Sequence, residues 1–146
     1  MNWEGDVAST AIDYPLSTYL VALCAGPYHK VTDTWRGELT AHPEGKPAQK
    51  LEVPLGIYCR SSLAHALDAE RLFTETKQGF DFYHRNFGFP YPFGKYDQIF
   101  VPEFNAGAME NAGCVTIRDE YVFASQATHY KYERRADTVL HELAHM

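Results

Sequence analysis

A helical repeat of apolar and aromatic residues is the clearest pattern along this chain. Its members lie three or four positions apart and are Leu72, Thr76, Phe80, Tyr83 and Phe87. This spacing places them on one face of a helix, where they can pack against a core. Asp68 precedes the pattern as a candidate N-cap, and Gly88 follows it as a natural C-terminal stop. The pattern therefore predicts a helix over residues 69–87.

A second helix and a set of strands are predicted from similar patterns. The second helix covers residues 130–146, with Thr128 as a candidate cap. Runs of β-branched and aromatic residues, bounded by proline, glycine or polar residues, are typical of strands. Such runs occupy residues 16–25, 29–34, 51–60, 97–102 and 114–123. Pro54 lies inside one of these runs and indicates an edge strand or a bulge there.

A polar stretch rich in proline and glycine separates the first strands from the rest of the chain. Residues 40–50 have this composition, which is typical of a loop. We predict a domain boundary at this loop, between a segment at 1–45 and a segment at 46–146.

The bulk composition is that of a globular protein with an acidic surface. The chain has 146 residues, 45% hydrophobic content and a formal net charge of −6. This charge argues against nucleic acid or an anionic membrane as the main partner. No apolar run reaches the roughly 18 residues of a membrane span, and residues 1–20 do not resemble a signal peptide.

The cysteines indicate a compartment. Cys24, Cys59 and Cys114 are odd in number and widely spaced. This pattern favours reduced thiols in a cytoplasmic protein over a disulfide framework or a metal knuckle.

The end of the second predicted helix carries a metal-binding pattern. Residues 141–145 are His-Glu-Leu-Ala-His, which puts His141 and His145 one turn apart on one helix face. The H-E-x-x-H spacing is typical of zinc metalloproteases. Zinc prefers neutral imidazole nitrogen and lowers the pKa of its bound water to about 7. Glu142 would lie beside that water and could take its proton.

A simpler interpretation stays open from this motif alone. Leu140, Leu143 and Ala144 would also suit an ordinary amphipathic helix end, where histidines interact with the terminal carbonyls. A catalytic zinc usually has three protein ligands and a water, and one residue follows His145. We therefore expect the chain to be a fragment that carries part of a zinc site.

A second motif strengthens the zinc interpretation. Residues 107–111 are Gly-Ala-Met-Glu-Asn. Together with the His-Glu-Leu-Ala-His sequence, this motif resembles the aminopeptidase N family of gluzincin zinc metallopeptidases. Within that family, the sequence resembles the cytosolic actinobacterial enzymes most. The flanking segments that agree are Pro90–Phe93, Lys95–Asp97, Val101–Asn105 and Tyr132–Arg135. The resemblance covers nearly the whole chain, which would be a central slice of such an enzyme.

The resemblance implies a role for each matching residue. His141 and His145 would bind one zinc ion, and Glu142 would be the general base that activates the zinc-bound water. Glu110 would bind the free α-amino group of a peptide substrate. Gly107, Ala108 and Met109 would lie along the peptide as a backbone platform, and Asn111 would also belong to the substrate-binding residues. The alternative role for Glu110 is that of a solvated or salt-bridged loop carboxylate.

The resemblance also implies which parts of the site this chain lacks. The third zinc ligand of the family is a glutamate on a later helix, which would lie beyond Met146. The tyrosine that stabilises the tetrahedral intermediate would lie there as well, and a further amine-binding residue would precede the chain. We therefore expect the isolated chain to be inactive and to bind zinc weakly.

These patterns predict an α/β (α+β) fold and a peptidase function. Residues 1–45 would end an N-terminal β domain, and residues 46–146 would form the first half of a thermolysin-like domain with a mixed sheet and flanking helices. The parent protein would release N-terminal residues from peptides in the cytoplasm. Two alternatives stay open, namely a relative that also opens a lipid epoxide and a non-catalytic peptide-binding module.

Overall fold

The computed structural model describes residues 2–39, 45 and 47–146. The strands are β1 (Asn2–Glu4), β2 (Val7–Ser9), β3 (Tyr28–Leu39), β4 (Gln49–Arg60), β5 (Tyr96–Val101), β6 (Ala108–Met109) and β7 (Cys114–Arg118). The α-helices are α1 (Ala69–Phe87) and α2 (His129–Ala144). Short 3-10 helices lie at Thr18–Leu20, Ser61–Ala66 and Asp119–Tyr121.

A mixed five-stranded sheet forms the centre of the described part, in the order β3-β4-β5-β7-β6. The pairs β3/β4 and β6/β7 are antiparallel, whereas β4/β5 and β5/β7 are parallel. Helix α1 connects the parallel strands β4 and β5, as such a crossover requires. The predicted α/β class, with a mixed sheet and two helices, is confirmed.

The hairpin of β3 and β4 bears on the predicted domain boundary. The two strands pair along their whole length, from Tyr28 opposite Arg60 to Leu39 opposite Gln49. Residues 28–39 therefore share one sheet with the segment after the predicted loop. Of that loop, residues 40–44 and 46 lie outside the described residues, and the boundary itself stays a prediction.

The predicted strand at 16–25 was wrong. This segment contains the 3-10 helix near Tyr19, and the side chains of Tyr19, Val21 and Leu23 are exposed. Residues with high β-propensity form a strand only when neighbouring strands and a core cover them. None of the described strands pairs with this segment, so its composition does not produce a strand.

Two other strand predictions differ from the structure in extent. The run predicted at 29–34 is the longer β3. The run predicted at 114–123 ends at Arg118, because the chain turns into a 3-10 helix in which Asp119 binds Arg60 at 2.7 Å. The prediction of an edge strand or a bulge at Pro54 was wrong, because β4 lies between β3 and β5 and pairs with β3 in an unbroken register. Pro54 is tolerated there because it pairs with Thr34 just before β4 begins to pair with β5.

One hydrophobic cluster joins the sheet to both helices. Its buried members come from every long element and include Trp35, Ile57, Phe80, Phe100, Ile117, Val139 and Leu143. Trp35 on β3 stacks on Phe80 of α1 at 4.9 Å between ring centroids, and its indole N–H donates to Asp81 at 2.8 Å. Helix α1 is thereby fixed on the sheet by packing and by a hydrogen bond.

Helix α2 packs directly on α1. Gly79 permits the close approach, because a Cβ atom there would lie 2.6 Å from Leu140 Cδ2 and 2.8 Å from Leu143 Cδ2. The Tyr83 hydroxyl donates to the Leu140 carbonyl at 2.9 Å. These contacts fix the last turns of α2, which carry the predicted metal-binding residues.

A buried arginine holds α2 near its middle. Arg135 is 1% exposed, and its guanidinium donates to Asp68 Oδ2 at 2.9 Å and towards the Tyr121 carbonyl at 3.4 Å. Asp68 is the N-cap residue of α1, as predicted, but its carboxylate makes no capping hydrogen bond. It forms an ion pair with the other helix instead.

Among the described residues, no helix is both long and apolar enough to cross a membrane.

We expect Gly79→Val to destabilise the fold by about 1–3 kcal/mol, because added atoms in a packed contact force neighbouring side chains and backbone to shift. The measurement is the urea unfolding midpoint followed by circular dichroism. The neighbouring Gln78 is exposed, so Gln78→Val is the matched control and should change stability by no more than about 0.5 kcal/mol. Equal effects of the two substitutions would contradict the close helix contact.

Candidate active site

The two predicted metal-binding histidines meet at the end of α2. Thr128 caps the helix, and its hydroxyl accepts from the Lys131 amide at 3.4 Å. His141 lies in the last turn of α2, and His145 is the C-cap residue four positions later. Their Nε2 atoms lie 3.2 Å apart on an exposed face. The helix therefore directs both imidazoles at one point near its surface.

Glu142 lies on the inward side of the same turn. Its side chain is 5% exposed, and its Oε2 atom is buried without a hydrogen-bond partner among the described residues. Burial raises the pKa of the Glu142 carboxyl above its ordinary value, and the nearby Glu110 raises it as well. The imidazoles of His141 and His145 lower this pKa and so oppose the effect of burial.

The second motif forms the edge of the sheet. Ala108 and Met109 are strand β6, which pairs with Ile117 and Thr116 of β7. Just before this strand, the exposed Gly107 accepts from the Arg118 amide at 3.0 Å. The other edge of β6 is free of strand pairing in this sheet, so its backbone amides and carbonyls can face an extended ligand.

Glu110 follows β6 and reaches the end of α2. One ligand atom from each of Glu110, Glu142 and His145 falls into a group whose members all lie within 4.8 Å of one another. A position of Glu110 on another side of the molecule would have excluded the proposed site. The structure instead brings the two predicted motifs together, although they are separated by β7 and most of α2.

Asn111 differs from its motif neighbours, because it is buried. Its side chain is 6% exposed, and its amide donates to the Thr116 hydroxyl at 3.1 Å. The Asn111 carbonyl accepts from the Cys114 amide at 2.9 Å. These bonds hold the turn after Glu110, and contact of Asn111 with a substrate stays a prediction.

Sequence reasoning named Lys95 and Asp97 only as flanking residues, yet they contact the loop that carries Glu110. The Lys95 ammonium donates to the Gly113 carbonyl at 3.0 Å and to the Asp97 carboxylate. The Asp97 amide donates to the same Gly113 carbonyl at 3.1 Å. The sequence gives little indication of these contacts, because Lys95 and Gly113 lie 18 positions apart, just before β5 and β7 respectively.

The chain is similar to known peptidases along most of its length. A family model described as Peptidase family M1 domain matches residues 72–146, just over half of the chain. An aminopeptidase N of Streptomyces lividans is 57% identical over 131 residues, which cover 90% of this chain and 14% of that protein. A glutamyl aminopeptidase of Sus scrofa is 34% identical over 133 residues, covering 90% of this chain and 12% of that protein.

A fungal relative agrees with these two. An aminopeptidase 2 of Candida albicans is 34% identical over 133 residues, covering 89% of this chain and 12% of that protein. The chain thus spans about one-seventh or less of the length of the curated relatives it matches.

We expect Glu142→Gln to stabilise the metal-free chain at pH 7 by about 1 kcal/mol, because a buried charged group without a partner is costly. The folded-state pKa of Glu142 is raised, so its ionisation penalises the folded state above that pKa. The gain should therefore disappear as the pH falls below the unfolded-state pKa, where the carboxyl is protonated in both states.

Thermal unfolding in a chelating buffer, repeated from pH 7 to about pH 4, measures this effect. Glu133 is exposed on the same helix, and Glu133→Gln is the matched control. A Glu142→Gln gain that is absent at pH 7, or that grows as the pH falls, would contradict the burial argument.

Proposed function

The chain belongs to peptidase family M1, and we propose that the protein carrying it is a zinc-dependent aminopeptidase. The observation that supports this most is the joint position of two groups. An imidazole pair lies at the end of α2, and the Glu110 carboxylate lies beside it at the sheet edge. This combination suits a reaction directed to the free amino end of a peptide.

The separation of the two imidazole nitrogens agrees with the geometry of a zinc site. Two nitrogens bound tetrahedrally at about 2.0–2.1 Å from zinc lie about 3.3 Å apart. The Nε2 atoms of His141 and His145 lie 3.2 Å apart, so their separation matches that of two ligands of one zinc ion. Bound there, zinc would polarise the scissile carbonyl and lower the pKa of a water.

We propose that Glu142 is the general base. A carboxylate placed within reach of a metal-bound water can take its proton and return it later, and the Glu142 carboxylate adjoins the imidazole pair. Glu142 would take a proton from the attacking water and then deliver it to the leaving amine. Its burial beside the imidazole pair limits the access of bulk water to the carboxylate.

Glu110 gives the proposed reaction its exopeptidase character. A peptide with a free N-terminus brings an ammonium group to this carboxylate, whereas an internal segment of a chain leaves the carboxylate desolvated and unpaired. A peptide would also add to the free edge of β6 through main-chain hydrogen bonds. Gly107, Ala108 and Met109 are the residues that would contact it.

We also propose a cytoplasmic location. Cys24, Cys59 and Cys114 are free cysteines in the structure, as is typical of proteins in reducing compartments.

The central test is Glu142→Gln in the full-length protein that carries this sequence. We expect kcat on amino-acid arylamides to fall by at least about 100-fold, since general-base catalysis typically contributes 10²–10⁴. The affinity for peptides should be retained, because the carboxylate does not contact the amino group. A non-catalytic binding module would keep its function in this variant, and turnover of a lipid epoxide alone would favour the bifunctional alternative.

The isolated 146-residue chain should show no aminopeptidase turnover and should bind zinc weakly. Two imidazoles and water make an incomplete catalytic site, which usually has three protein ligands. Isothermal titration with zinc and an arylamide assay measure the two properties, with His141→Ala as the control for site-specific binding. Turnover by this polypeptide, free of contaminating enzyme, would contradict the expectation.

A further inference from the structure

The loop that carries Glu110 ends at a glycine with an unusual backbone. Gly113 has a φ of +66°, a conformation that favours glycine. A Cβ atom at this position would also lie 3.0 Å from the Lys95 carbonyl oxygen. The loop therefore closes tightly against the segment that leads into β5.

Two donors converge on the Gly113 carbonyl. The Lys95 ammonium lies 3.0 Å from this oxygen, and the Asp97 amide lies 3.1 Å from it. The same ammonium binds the Asp97 carboxylate, whose side chain is 15% exposed. The Lys95 carbonyl in turn accepts from the Tyr91 hydroxyl at 2.8 Å. The backbone of Lys95 is thus held by Tyr91, while its ammonium group donates to Gly113 and Asp97.

The opposite end of the loop, at Gly107, is held by a backbone hydrogen bond to the end of β7. There the Arg118 amide donates to the Gly107 carbonyl. Between the two ends, the buried Asn111 binds Thr116. At the Gly113 end, three residues after Glu110, the loop is held by a charged side chain, that of Lys95. A shift of Gly113 would therefore move the Glu110 carboxylate relative to the imidazole pair.

We propose that Lys95 is a positioning residue, which fixes the Gly113 end of the loop so that Glu110 meets the amino group of a substrate. This proposal rests on the proposed aminopeptidase function. Lys95 itself would contact no substrate, and its effect would pass through the Gly113 carbonyl. The ammonium-to-carbonyl bond is charge-assisted, and bonds of this kind are the stronger class of hydrogen bond.

A pair of matched inhibitors isolates the recognition of the amino group. Leucine hydroxamate and 4-methylpentanohydroxamate both chelate zinc and differ only in the α-amino group. In the full-length wild-type protein, the inhibition constant of the deamino compound divided by that of leucine hydroxamate measures how much the amino group adds to binding. We expect Lys95→Met to reduce this ratio by about tenfold, which corresponds to the loss of one such interaction. The inhibition constant of the deamino compound should stay unchanged.

Two variants serve as controls. Lys77 forms a comparable surface ion pair with Asp33 at 2.6 Å, on α1 and β3, and Lys77→Met should leave the ratio unchanged. Lys95→Arg keeps a charged donor and should restore most of the ratio. A merely structural role of Lys95 would lower thermal stability and weaken both inhibitors alike, so the ratio would not move.

An unchanged ratio in Lys95→Met, or an equal change in Lys77→Met, would overturn the proposal. If Lys95→Met does not fold, Lys95→Gln provides an uncharged and shorter donor and should give a smaller reduction in the same direction. An unchanged ratio there would again overturn it. Failure of the proposed function looks different, since the wild-type protein would then show no turnover or no preference for the inhibitor with the amino group.

Discussion

The pairing of β6 with β7 is the contact on which the candidate site depends. It joins Ala108 to Ile117 and Met109 to Thr116, at the edge of the mixed sheet. These two residue pairs carry Glu110 to the end of α2, where its carboxylate approaches Glu142 and His145. Packing of α2 on α1 at Gly79 supplies the other half of the alignment. The site thus lies between one helix end and one short edge strand.

The buried carboxylate of Glu142 lowers the stability of the fold. Glu142 is buried, its Oε2 lacks a partner among the described residues, and the neighbouring Glu110 adds like charge. A core selected for stability alone would have an apolar residue at such a position. Sites of this kind are commonly tolerated because function needs the strained arrangement, while the rest of the fold compensates. Here the hydrophobic cluster beneath both helices supplies that compensation.

The helices could be predicted from the sequence almost to the residue, because their patterns are local. The repeat that starts at Leu72 and the stop at Gly88 predicted the bounds of α1, and Gly88 ends the helix in a left-handed conformation with a φ of +63°. The segment at 16–25 could not be predicted in this way. Residues of high β-propensity form a strand only beside another strand, and none of the described strands pairs with this segment. The 3-10 helix after Arg118 was missed for a similar reason, because the ion pair of Asp119 with Arg60 joins distant parts of the chain.

In the candidate site too, features set by local spacing could be predicted, whereas contacts between distant parts of the chain could not. The helical spacing predicts that His141 and His145 share a face, and the structure has them on one face. The proximity of Glu110 could be expected only from a family resemblance, as no periodicity links β6 to α2. The contacts of Lys95 with Gly113 could not be anticipated, because they require the register of β5 against β7.

The spacing of the site along the chain has a consequence for its assembly. The imidazole pair spans the last turn of α2 and its C-cap residue, so a conformation that retains this end of the helix also retains the pair. The carboxylate of Glu110 joins it only when the sheet edge is closed, and short edge strands are among the first parts of a fold to open. Partial opening of this edge would therefore separate the two halves of the site while the helix stays intact.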